Sequence, residues 1–149
     1  MCVGQVKRSG RAPAENPSTS SRALFDELCA LLRQHAAGFV VTSEMEGSQA
    51  TGNKPGLFLY TREPVSIKGR APRRECAAGV ILQKHFVGFY LTPMYLAPAT
   101  FAVTLPGLKK AKKGKSCFNL KRLDAAERRE LEELLRRGVA WFRRETDER

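Results

Sequence analysis

Residues 76–91 read CAAGVILQKHFVGFYL, two apolar runs separated by the polar residues Gln83, Lys84 and His85. The runs have the length of strands and the separator has the length of a hairpin turn, so strands are predicted over Cys76–Leu82 and Phe86–Leu91. Both alternating sets of side chains in these runs are apolar. We therefore expect the hairpin to lie centrally in a sheet that is covered on each side.

Further short elements are predicted on both sides of this hairpin. Phe39–Thr42 and Gly56–Thr61 precede it, and each has the composition of a strand. After it, Ser116–Leu120 is expected to form one more strand. Ala99–Val103 and Gly107–Lys113 are expected to be short helical pieces.

A helix is predicted near each end of the chain. The first starts at Ser20 or Ser21 as the capping residue and stops at Gly38, and its apolar face recurs at three- and four-residue spacing: Leu24, Leu28, Leu31 and Leu32. The second begins at Asp124, with Glu127 three residues later as a capping box. Its buried stripe is formed by Leu131, Leu134, Leu135, Val139 and Phe142.

The order of these elements predicts an α+β domain, with an antiparallel sheet of four to five strands and a helix at each end. The chain has 149 residues, which fits one domain. Residues 1–19 are polar, contain Pro13 and Pro17 and show no apolar period. We expect them to be a flexible N-terminal extension and residues 20–149 to form the single domain.

Positive charge is concentrated in one part of the sequence. The formal net charge is +11, and residues 101–123 contain seven cations and no acid: Lys109, Lys110, Lys112, Lys113, Lys115, Lys121 and Arg122. Such a stretch attracts polyanions. The expected partners are therefore nucleic acid or a phosphorylated small molecule.

The sequence favours a cytoplasmic protein that does not interact with membranes and has no cofactor. No apolar run approaches the roughly 20 residues of a membrane-spanning helix, and residues 1–4 lead into polar sequence without a signal core. The four cysteines form no C-x-x-C pair and, without a secretory context, are expected to be reduced. With only two histidines, no metal-binding cluster of characteristic spacing is present.

Two groups of residues are candidates for a functional site. Gly114-Lys115-Ser116 resembles the end of a phosphate-binding loop, but Lys109 stands where that motif requires another glycine. A looser anion site near Lys115 and Lys121 is one interpretation, and a helix stop at Gly114 with solvated lysines is the other. Tyr90 and Tyr95, beside these lysines, are candidates to line a groove in which bases stack.

A thiol–imidazole pair is the second group. Cys117 could act as a nucleophile if the fold brings it to His85. The alternative is a core thiol and a surface histidine in a hairpin turn. The sequence alone leaves the distance between them open.

Residues 79–95 and residues 114–119 (GKSCFN) together resemble the YdhG-like domain family, known as domain of unknown function 1801. The resemblance covers about residues 22–145 and implies a compact α+β domain with a helix at each end. It implies family-typical positions at Lys84, Pro93, Tyr95, Lys115, Ser116 and Cys117. One branch of that family is described as a frataxin-like iron chaperone. The few acids outside the last helix and the +11 charge run against such a role here.

Three functional hypotheses follow. The first is a binding domain for an anionic ligand, with groove candidates Lys84, His85, Tyr90, Tyr95, Lys115, Ser116, Cys117 and Lys121. The second is a frataxin-like iron-binding carrier, and the third is a small enzyme that uses Cys117. Because no complete catalytic motif is present, we expect a protein that is not an enzyme; the oligomeric state is left open.

Overall fold

The computed structural model describes residues 19–44, 52 and 54–147. The predicted N-terminal extension lies outside these residues except for Thr19, which is the first residue of a helix rather than part of an extension. Ser20 and Ser21 therefore lie within that helix and do not cap it.

The described residues form an α+β domain with one antiparallel sheet, as the sequence predicts. The helices are α1 (Thr19–Gln34), α2 (Thr92–Leu96), α3 (Pro106–Ala111) and α4 (Ala125–Asp147). The strands are β1 (Phe39–Thr42), β2 (Gly56–Thr61), β3 (Cys76–Leu82), β4 (Val87–Leu91), β5 (Lys112–Lys113) and β6 (Cys117–Leu120). Their order across the sheet is β1-β2-β3-β4-β6-β5.

The predicted hairpin is β3–β4, and it is central because β2 flanks β3 and β6 flanks β4. Successive side chains of a strand point to opposite faces. On one face, residues such as Val80 and Phe89 pack with α1 and α4 in the main core. On the other face, Phe58, Tyr60 and Ile81 form a second, smaller cluster. The central position of the hairpin is confirmed, but its second face is only partly covered, since Cys76 and Tyr90 are half-buried there.

The sheet has one strand more than predicted. The helix expected over Gly107–Lys113 ends at Ala111, and Lys112–Lys113 pairs with Cys117 and Phe118 as β5. No helix forms over Ala99–Val103. The helix lies earlier, at α2, where Pro93 occupies the first turn. Proline fits there because the first amide groups of a helix lack intrahelical acceptors.

Helix α4 closes the domain as predicted. Its capping box is present: the backbone amide of Glu127 donates to Asp124 Oδ1 at 2.7 Å, and the amide of Asp124 donates to Glu127 Oε1 at 3.0 Å. All five residues of the predicted stripe are buried. Within the described part of the chain, no helix is both long and apolar enough to cross a membrane.

Candidate functional site

A groove of about 390 Å³ opens beside α2 and the turn between β5 and β6. Its lining comes from α2, from the loop that follows it, from α3 and from the β5–β6 turn. The lining residues are Met94, Tyr95, Pro98, Phe101, Ala102, Val103, Lys109, Lys112 and Lys115. The groove therefore combines apolar and cationic side chains, with no carboxylate among these residues.

The floor of the groove is apolar and buried. Met94, Phe101 and Val103 are buried, whereas Tyr95 is 54% exposed. The short helix α2 explains the contrast between Met94 and Tyr95, since neighbouring positions of a helix face in different directions. Tyr95 is thus an aromatic ring held at the surface beside the groove.

The loop of residues 97–105 is attached to α4 by two side chains. Glu130 accepts hydrogen bonds from the backbone amide of Thr104 at 3.0 Å and from its hydroxyl at 2.6 Å. Arg137 donates to the carbonyl of Thr100, and its guanidinium lies 5.3 Å from the centroid of the Phe101 ring. These contacts fix the wall of the groove to the longest helix of the domain.

The three lysines of the groove have different surroundings. The Nζ of Lys112 donates to the carbonyl of Gly114 at 2.9 Å, which holds the β5–β6 turn. The Nζ of Lys115 lies 5.6 Å from the centroid of the Tyr95 ring, a cation–π contact. Lys109 is exposed and forms no ion pair in the described part of the chain. Its ammonium is therefore available to a ligand.

Gly114-Lys115-Ser116 lies between two strands, not between a strand and a helix. Gly114 has a φ of 69° and forms the turn of the β5–β6 hairpin. Glycine suits this left-handed conformation because it has no Cβ. The prediction that Gly114 stops a helix is wrong, and the segment does not have the strand–loop–helix arrangement of a nucleotide-triphosphate loop.

The structure divides the eight predicted groove residues into two groups. Tyr90 pairs with Cys117, so both lie at the same end of β4 and β6 as Tyr95, Lys115 and Ser116. Val87 pairs with Leu120, which places the β3–β4 turn, with Lys84 and His85, at the opposite end beside Lys121. The eight candidates therefore do not lie together in one compact groove. Only Tyr95 and Lys115 line the groove itself.

The same register separates His85 from Cys117, so the proposed thiol–imidazole pair is not formed. Cys117 instead lies across the ladder from Tyr90, and its thiol donates to Asn119 Oδ1 at 3.6 Å. Burial raises the pKa of the Cys117 thiol, an effect that the neighbouring Tyr90 hydroxyl opposes. Burial is also the main reason why the pKa of Tyr90 is raised. A nucleophilic cysteine requires a lowered pKa, so this environment does not activate the thiol.

We expect Cys117 to react slowly with iodoacetamide at pH 7.5. Its raised pKa leaves less thiolate than a free thiol has at that pH, and the thiolate is the reactive form. Mass spectrometry resolved by peptide would measure the rate, with glutathione as the control. Labelling of Cys117 faster than glutathione would contradict this account and restore the enzyme hypothesis.

Lys109 and Lys112 belong to the predicted basic stretch, and the structure places both in the lining of the groove. The sequence did not predict the floor formed by Met94, Phe101 and Val103. Pro93 is the residue that could have indicated helix α2, because proline is as typical of the start of a helix as of the end of a strand. In the described part of the chain, no group of three or more His, Cys, Asp or Glu residues is arranged to hold a metal ion.

Comparisons with protein-family models, with curated proteins and with solved structures found no match to this chain. The resemblance to the YdhG-like domain family therefore stays a prediction from the two motifs.

Proposed function

We propose that this protein binds a phosphate-bearing ligand that also carries a planar ring, in the groove beside α2. The observation that carries the proposal is the convergence of Lys109, Lys112 and Lys115 on an apolar floor next to the exposed ring of Tyr95. Lysine ammonium groups bind phosphate as point charges. An exposed aromatic ring offers a surface on which a base stacks.

The volume and chemistry of the groove support a ligand of nucleotide size. About 390 Å³ lies at the lower end of the range for small-molecule sites, which are mostly apolar with a few placed polar groups. The apolar floor suits the ring and the lysine wall suits the phosphate. None of the lining residues is a carboxylate, so the lining itself carries only positive charge.

Titration with AMP, followed by amide chemical shifts at physiological salt, tests the proposal. We expect localised shifts at Tyr95, at Val103 and over residues 109–115. Shifts spread evenly over the surface, or no shifts, would contradict the proposal.

Two substitutions would divide the binding energy between charge and stacking. Lys109→Gln removes a charge that has no ion-pair partner in the described residues, so we expect a loss of about 3- to 10-fold in AMP affinity. Tyr95→Ala should lower AMP affinity about tenfold, since stacking of a base on an aromatic ring contributes about 1–3 kcal/mol to binding. Lys110→Gln is the matched control because Lys110 lies on the same helix but does not line the groove. An equal loss in the Lys110 and Lys109 variants would mean that net charge alone drives binding.

We further propose that the protein functions in the cytoplasm. In the part of the chain that the structure describes, Cys29 and Cys117 are not joined in a disulfide, which is typical of proteins in a reducing compartment.

A further inference from the structure

The basic surface of this domain extends well beyond the groove. Between Glu75 and Asp124 the sequence has no Asp or Glu, but it has eight Lys or Arg residues: Lys84, Lys109, Lys110, Lys112, Lys113, Lys115, Lys121 and Arg122. Only three of these line the groove. The distribution of the remaining cations therefore requires an explanation beyond a nucleotide-sized ligand.

These cations lie at both ends of β6. Lys115 precedes the strand and lines the groove, whereas Lys121 and Arg122 follow it and are exposed. The β3–β4 turn, which contains Lys84, lies at the same end as Lys121 because Val87 pairs with Leu120. From Cys117 to Lys121 the strand rises about 14 Å, at about 3.4 Å per residue. A mononucleotide bound in the groove does not span that distance.

The surface between these two ends carries planar and cationic groups. Tyr90 and Asn119 are half-buried on the sheet face that lies away from the main core, and Lys113 pairs with Cys117 on that same face. The ring of Tyr90 extends across Gly88, where a Cβ would lie 2.8 Å from the Tyr90 hydroxyl. Because Gly88 has no side chain, the Tyr90 ring lies flat against the sheet. No side chain at position 88 therefore projects from the surface next to Asn119.

We infer that this surface binds a single strand of nucleic acid that runs from the groove, around the β5–β6 turn and past Lys113 and Tyr90, to Lys121 and Arg122. The inference rests on the proposed function, because the groove supplies the first base position. At about 3.4 Å per stacked nucleotide, four nucleotides cover the length of β6. Lysines along such a path contact phosphates, and Tyr95 and Tyr90 offer rings to bases, the combination found in sequence-tolerant single-strand binding.

The test compares the affinity for a mixed ten-nucleotide DNA strand with the affinity for AMP, both by fluorescence-detected titration. We expect the strand to bind at least tenfold more tightly. Its logarithmic salt dependence should have a slope of about −2 to −3, the value for three to four phosphate contacts on a single strand. The same ten nucleotides in a duplex should bind more weakly, since paired bases cannot stack on the tyrosines.

The double variant Lys121→Gln/Arg122→Gln tests whether the bound nucleic acid extends beyond the groove. It should lower affinity for the ten-nucleotide strand by about five- to tenfold and flatten the salt slope by about 0.7–1.4, while AMP affinity stays unchanged. Lys109→Gln should weaken both ligands. Arg33→Gln on α1, an exposed cation outside this basic segment, is the control and should change neither.

The outcomes separate the two proposals. If AMP binds in the groove but the strand binds no more tightly, or the double variant has no effect, the strand path is overturned and the proposed function stands. Tighter binding of the duplex than of the single strand would also overturn the inference. If neither AMP nor the strand shifts the groove residues, both proposals fail together.

Discussion

Replacing Phe58 by alanine should destabilise the fold by about 3–5 kcal/mol, the range for buried Phe→Ala substitutions. The Phe58 side chain is 0% exposed and is the centre of the cluster on the second face of the sheet. Tyr60 and Ile81 pack in the same cluster, so removing the ring leaves a cavity that neighbouring strands can fill only in part. Chemical denaturation followed by circular dichroism would measure the loss.

The two glycines beside Phe58 make this prediction sharper. A Cβ on Gly56 would lie 2.8 Å from the Phe58 ring, and one on Gly79 would lie closer still. These glycines leave the space that the ring occupies, so Gly79→Ala alone should cost about 1–3 kcal/mol through overpacking. In the Phe58→Ala background the same substitution should cost nothing, because the ring it collides with is gone. The double-mutant cycle therefore predicts a coupling energy of about 1–3 kcal/mol.

Val41→Ala is the matched control for this cycle. Val41 lies on β1 of the same sheet and is exposed, so its truncation should change stability by less than about 0.5 kcal/mol. Additive effects of Phe58→Ala and Gly79→Ala would contradict the packing described here.

The sequence predicted the fold well where one local signal dominated. Three strands, β1, β2 and β3, begin and end at the predicted residues because runs of strand-forming residues there are bounded by polar or turn residues. The stripe of α4 and its capping box are also confirmed. In these segments, local propensity and tertiary packing favour the same structure.

The predictions failed between residues 92 and 116, where two local interpretations compete. Pro93 was predicted only to break β4, but it also lies in the first turn of α2. Lys112 and Lys113 continue a helical pattern, but pairing with β6 makes them a strand. Such pairing depends on a partner further along the chain, so a local pattern does not reveal it.

The candidate site was predicted only in part for the same reason. Tyr95 and Lys115, two of the predicted groove residues, lie near one another and form a cation–π contact. Lys84 and His85 belong to the hairpin turn and Lys121 to the basic stretch, and neither feature shows that they lie at the other end of the sheet. The register of β4 against β6 decides which end of the sheet each residue occupies, and charge and composition carry no information about register.

The second large effect concerns α4. Leu135→Ala should lower the free energy of unfolding by about 2–5 kcal/mol. Leu135 is 0% exposed and packs in the main core between the helices and the sheet. A lowered denaturation midpoint with an unchanged slope would confirm a loss of packing. Glu132→Ala is the control on the same helix, since Glu132 is exposed and its truncation removes no buried surface. An unchanged midpoint for Leu135→Ala would mean that another face of the helix packs on the sheet.

The same variant also separates stability from binding. Glu130 and Arg137 on α4 hold the groove loop through contacts that Leu135 does not make. Well below its unfolding temperature, Leu135→Ala should therefore keep its AMP affinity. Glu130→Ala, by contrast, releases the backbone of Thr104. Its loss in the free energy of AMP binding should exceed its loss in the free energy of unfolding. If Leu135→Ala lost affinity in proportion to its lost stability, the groove would depend on the global fold rather than on these two contacts.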